Sequence, residues 1–118
     1  MPLKLQFPRA KRLILPAEFK RVREEGTAAR GNLITIGRLP APDGQWRAGF
    51  VTSRRIGNAV VRNRVRRRLR DITRRHQHEI VSPTWLVTVA RPAAARASCA
   101  DLEHEWLRLA KRTSILAP

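Results

Sequence analysis

Between Ser53 and Asp71 the chain reads "SRRIGNAVVRNRVRRRLRD", eight arginines against one acid. Like charge at that density stays folded only if the same segment offers an apolar surface to dock it. At about 100° per residue, Val61, Val65, Leu69 and Ile72 fall in one stripe of a helix. Asn58, preceded by the permissive Gly57, is a good N-cap for it. Asn63, Arg66, Arg67, Arg70 and Arg74 then project from roughly the opposite side, with Arg64, Arg68 and Arg75 flanking the stripe. An ordinary solvated face alternates Glu with Lys at i, i+4, whereas Arg62/Arg66/Arg70 and Arg64/Arg68 repeat like charge at that spacing. Such a helix calls for a polyanion on its open face.

The whole chain repeats the imbalance. Its 118 residues carry 25 Lys and Arg against 9 Asp and Glu, a net charge of +16, while a hydrophobic fraction of 42% argues for a folded domain. A nucleic acid or an anionic membrane would fit that charge. The only lysines are Lys4, Lys11, Lys20 and Lys111. Arginine, whose planar fork grips phosphates and stacks on bases, tilts the choice toward nucleic acid. A membrane helix would want bulky Trp, Phe or Leu opposite the charge, and this stripe is mainly valine. The single Cys99 excludes an internal disulfide and a Cys-rich zinc site. No apolar run approaches the roughly 20 residues of a membrane span, and "LIL" before Pro16 is too short for a signal peptide's apolar region. A cytoplasmic protein is expected.

The length suits one domain over 1–118, with 1–12 ("MPLKLQFPRAKR") an extended basic arm broken by Pro2 and Pro8. Pro16 opens a helix that Gly26 closes, with Phe19 and Val22 on one face. A strand is expected over 32–39 after a short extended piece at 27–30, then a turn at 40–44 whose Asp43-Gly44 signals a hairpin. A second, antiparallel strand follows over 45–53, with Trp46, Ala48, Phe50 and Thr52 facing one way. A third full strand runs over 84–90, and a last helix starts at Ser98 with Leu102, Trp106 and Leu109 on its apolar face. The order α-β-β-β-α-β-α gives an α/β (α+β) two-layer sandwich of one sheet and its helices.

Nothing in the sequence gathers a nuclease site. Two-metal cleavage wants converging carboxylates. Glu18, Glu24 and Glu25 share one helix, Asp71 and Glu79 another, and Asp101, Glu103 and Glu105 the last. His76 and His78 diverge, and His104 and Cys99 lack further ligands. Protein side chains are expected to supply neither catalysis nor a metal site.

The segment "RRIGNAVVRNRVRRRLRD" resembles the signature of the protein subunit of bacterial ribonuclease P, K-x-G-N-A-V-x-R-N-R-x-K-R-x-x-R. Arg55, Gly57, Asn58, Ala59, Val60, Arg62, Asn63, Arg64, Arg66, Arg67 and Arg70 occupy those positions, with arginine for lysine at Arg55 and Arg66. Arg12-Leu13, Phe19, Gly26-Thr27, the "GFVTS" strand and the "VARP" strand end extend the similarity over nearly the whole chain.

The resemblance implies a holoenzyme with a large catalytic RNA that hydrolyses one phosphodiester bond of precursor tRNA to remove its 5′ leader. It implies Mg²⁺ held mainly by RNA and substrate, and a mainly antiparallel sheet with a left-handed crossover around the arginine-rich helix, where chain physics alone expects a right-handed one. It assigns Arg54, Arg55, Asn58, Arg62, Asn63, Arg64, Arg66, Arg67, Arg68, Arg70 and Arg74 to RNA binding. A leader cleft between the first helix and the sheet would draw on Arg9, Lys11, Arg12, Phe19, Ile34, Ile36, Phe50, Thr52 and Val89. Arg23 and Gly37 stand where relatives often carry aromatics, so leader contacts here would rest more on charge. The rival readings are a ribosomal or chaperone-like RNA-binding protein and a protein-only nuclease.

Overall fold

Seven principal elements follow one another in the computed structural model, which describes residues 11–117: α1 (Pro16–Glu25), β1 (Thr27–Arg30), β2 (Ile34–Pro40), β3 (Arg47–Val51), α2 (Ala59–His76), β4 (Thr84–Ala90) and α3 (Cys99–Arg112). The expected order holds, and the expected weak first strand is β1. Pro16 opens α1, and Glu18 reaches back to accept hydrogen bonds from the Ile14 and Leu15 N–H groups at 2.9 and 2.8 Å. Residues 1–10 of the expected arm, including Arg9, lie outside the described residues. Of its end, Arg12 forms a parallel bridge with Ala48 of β3.

The sheet runs β1-β2-β4-β3. The expected Asp43-Gly44 hairpin is therefore corrected. The turn forms, with Gly44 at φ +74° and Asp43 Oδ1 accepting from the Gln45 N–H, but it does not join paired strands. β4 lies between β2 and β3, antiparallel to the first and parallel to the second. Turn chemistry is local, whereas strand order is decided by burial. β4 ("TWLVTVA") is apolar on both faces and all but Val89 of it is buried, so it takes an inner position and α2 becomes the crossover from β3.

The two sheet faces carry two cores. Ile34, Ile36, Ala48, Leu86 and Ala90 face Val65, Leu69 and Ile72 of α2 and Leu102, Trp106 and Leu109 of α3. The stripe expected on α2 is thus the surface that docks it. The other face carries Leu39, Trp85 and Val87 beneath Val22 and Phe19 of α1.

Candidate nucleic-acid interface

α2 starts where its sequence says it should. Asn58 Oδ1 accepts from the Val61 N–H at 3.0 Å, so this asparagine's carbonyl is committed to the cap. With the Val–Leu–Ile stripe turned inward, the arginines divide into three sets. On one flank, Arg64 donates to the Ala95 carbonyl (3.0 Å) and Arg68 to the Ala97 carbonyl (3.1 Å), tying α2 to the 3-10 turn Pro92–Arg96 and the residue after it. On the other flank, Arg66 reaches the Thr52 hydroxyl at 2.7 Å and Asn63 Oδ1 at 3.2 Å. Arg66 therefore lies beside the sheet end instead of opposite the stripe. Arg70 sits beyond it, half-buried; burial, with the Arg12 and Arg66 charges adding to it, pulls its pKa below the ordinary arginine value.

The third set looks outward. Arg67 is exposed, and its side chain makes no hydrogen bond or ion pair among the described residues. Arg12, Arg67, Arg68, Arg70, Arg74 and Arg75 line an open concavity of about 500 Å³, floored by Ile72 and joined by Asp71 and Cys99. Asp71, the single acid, pairs with Arg74 and, at 3.2 Å, with Arg75. Arg54 and Arg55 extend the charged surface, exposed on the 3-10 turn Arg54–Ile56 just ahead of α2. Arg62 is half-buried beside the outward Asn63. The flank arginines fix the helix, and the outward ones leave a phosphate-sized charge density facing solvent.

On the opposite face of the sheet, an apolar groove of about 330 Å³ separates α1 from the strands. Its lining is Phe19, Val22, Arg23, Gly26, Thr27, Ala28, Thr35, Gly37, Val51, Val87 and Val89. Phe19 and Val89 stand where the sequence placed them, and Arg23 and Gly37 do line the groove. Ile34, Ile36, Phe50 and Thr52 do not. The register pairs Thr35, not Ile34, with Val89, so those four side chains face α2 and α3 on the far side of the sheet. Lys11 and Arg12 are elsewhere too. Lys11 rests 5.4 Å from the Trp46 ring, and Arg12 belongs to the α2 concavity.

Two residues with no role expected from the sequence shape the site. Gly49 lies directly under Phe19; a Cβ there would come within 2.4 Å of its ring. Glu105, on the buried face of α3, accepts from the Asn32, Leu33 and Ile34 N–H groups at 3.1, 2.7 and 2.8 Å and so holds the β1–β2 turn. At the far end of α2, His76 hydrogen-bonds Glu79 and Glu103 and stacks on Trp106, ring centroids 5.8 Å apart. Burial alone would lower the His76 pKa, but its two carboxylate partners outweigh it and the pKa is raised.

The family model for ribonuclease P matches residues 7–114. The chain belongs to the ribonuclease P family. It is 40% identical over 98 residues to the ribonuclease P protein component of Thermus brockianus, covering 83% of this chain but 57% of that protein, so it spans little more than half of that relative's length. To the same component from Roseiflexus castenholzii it is 36% identical over 110 residues, 92% of this chain and 89% of the other. The solved ribonuclease P protein of Staphylococcus aureus superposes with a TM-score of 0.85 at 21% identity, over 92% of this chain and 99% of that one. That likeness bears out the expected fold class, one four-stranded sheet with three helices.

Proposed function

We propose that this ribonuclease P family chain is the protein subunit of a ribonucleoprotein endoribonuclease that removes the 5′ leader of precursor tRNA. The α2 face binds the catalytic RNA, and the groove between α1 and the sheet takes the single-stranded leader. The observation that carries this reading is the division of the α2 arginines. Flank residues are spent on backbone carbonyls and Thr52, while Arg67 and the concavity around it face outward, with Asp71 the one acid in its lining and Glu103 of α3 pairing with Arg75. Phosphate contacts made by such a surface supply affinity without reading sequence. The groove offers what an unpaired base needs, one aromatic ring (Phe19) over a floor of valines, threonine and glycine.

The chemistry is assigned to the RNA. Among the described residues no group of three or more His, Cys, Asp or Glu is placed to hold a metal ion. Asp71, Glu79 and Glu103 are engaged by Arg74, Arg75 and His76, so they do not fit a Mg²⁺ site. Mg²⁺ is taken to sit with catalytic RNA and substrate. The protein's part is to hold the leader and to neutralise phosphate charge, which lowers the Mg²⁺ concentration the RNA needs. No described helix is long and apolar enough to cross a membrane, and a cytoplasmic ribonucleoprotein is the setting proposed.

The test is reconstitution with catalytic ribonuclease P RNA at low Mg²⁺, following precursor-tRNA cleavage. Stimulation by the protein is expected. Absence of stimulation refutes the reading in favour of a non-catalytic RNA-binding protein, and cleavage by the protein without RNA would move the chemistry to its side chains.

A further inference from the structure

The groove has a direction, and it ends on a charge. Cross-strand partners point to the same face of a sheet. The register aligns Arg30 with Thr35, Thr35 with Val89, and Val51 with Val89. These four residues form one row across all four strands, about 14 Å long at the usual strand spacing. Thr35, Val89 and Val51 line the groove. The next row, Ala28–Gly37–Val87–Gly49, lies under α1, with Gly49 beneath Phe19 and Gly37 beneath Val22. Ala28, Gly37 and Val87 of that row also line the groove, so the floor spans both rows, and the first is the one that ends on Arg30.

The two ends of this row differ. Val51 leads through Thr52 and Ser53 into the Arg54–Ile56 turn and the arginine face of α2. Arg30 stands at the other end, on the outer strand, exposed, and its side chain makes no hydrogen bond or ion pair among the described residues. Its position is well held. Glu105 fixes the Asn32–Ile34 backbone from one side, and Arg91 donates to the Gly31 carbonyl. A cation on a rigid support at the end of an apolar floor suits a phosphate of a strand laid along that floor.

We propose that Arg30 is the distal anchor of the leader track, gripping the leader phosphate farthest from the cleavage site after the strand has crossed Val51, Val89 and Thr35. This rests on the reading that the groove takes the leader and adds a polarity to it: cleavage side at the α2 end, free leader end at β1. The consequence is a contact that only a sufficiently long leader reaches.

Precursor tRNAs with leaders lengthened one nucleotide at a time, assayed with holoenzyme carrying wild-type, Arg30→Ala or Arg30→Lys protein, test this. Wild-type affinity should rise with leader length and then level off. Arg30→Ala should remove the last increment, about two- to fivefold on long leaders, the size of one exposed charge pair, and change nothing on short ones. Arg30→Lys should keep most of that increment. The salt slope on long leaders should fall by up to about one unit in Arg30→Ala. A loss equal at every length would place Arg30 on the catalytic RNA or the tRNA body, and no loss at any length would place it in solvent; either overturns the anchor. Both outcomes leave protein-stimulated cleavage intact, whereas loss of stimulation in the wild type would instead sink the subunit reading itself.

Discussion

Replacing Glu105 tests how the groove's outer edge is built. The carboxylate is nearly buried, and it accepts three consecutive backbone N–H groups of the β1–β2 turn. Gly31 leaves room for it, because a Cβ there would sit 2.5 Å from the Glu105 carboxyl carbon. In Glu105→Ala the three donors fare differently. Asn32 is exposed and water replaces its bond, Leu33 is half-buried, and Ile34 is fully buried. An orphaned buried donor costs about 1–3 kcal/mol. Charging that in full to Ile34, about 1 kcal/mol to Leu33 and almost nothing to Asn32 gives about 2–4 kcal/mol, on the order of 10 °C in Tm for a domain of this size. Glu105→Gln keeps one acceptor oxygen but turns an amide N–H₂ toward a donor, and should cost about half as much. Thermal and urea unfolding followed by circular dichroism measure both. A Glu105→Ala protein within about 0.5 kcal/mol of wild type would refute the account of the turn, since surface changes fall in that range.

The pH dependence of stability should carry the signature of His76. Its raised pKa means that its partnership with Glu79 and Glu103 contributes fully below the unfolded value of about 6.5 and is lost as pH rises through the folded value. The Tm gap between wild type and His76→Gln should therefore shrink from mildly acidic to alkaline pH, and a gap that is constant or widens would contradict the network. Gly49→Ala should cost about 1–3 kcal/mol by overpacking, because Phe19 must leave the sheet to admit the methyl group. The same change should weaken cleavage of leader-bearing substrate, and retained stability with unchanged leader dependence would mean that Phe19 does not define the groove.

The elements were legible because their signals are local. Pro16 and Asn58 marked helix starts, and the Val61–Val65–Leu69–Ile72 spacing named the buried side of α2. Strand partners are not local. The Asp43-Gly44 turn looked like a hairpin, yet the doubly buried β4 displaced that pairing, and only the resulting register shows that Val89 shares a face with Thr35 and not with Ile34. Period-two alternation grouped each strand's residues correctly but could not say which group met α1, so Ile34, Ile36, Phe50 and Thr52 were assigned to the wrong side. In the sequence Glu105 is one of three scattered acids of the last helix; its partners are more than 70 residues away in sequence and no short-range signal names them.

The central claim is that the outward face of α2 meets the catalytic RNA, and Arg67 offers its cleanest test, because its neighbours are partly spent on Ala95, Ala97, Thr52 and Asp71. Binding of wild-type and Arg67→Ala protein to catalytic ribonuclease P RNA, titrated across a salt series, measures it directly. Weaker binding with a salt slope smaller by about one unit or less is the predicted result. Affinity and slope both unchanged would place Arg67 in solvent and contradict the assignment of the α2 face to RNA.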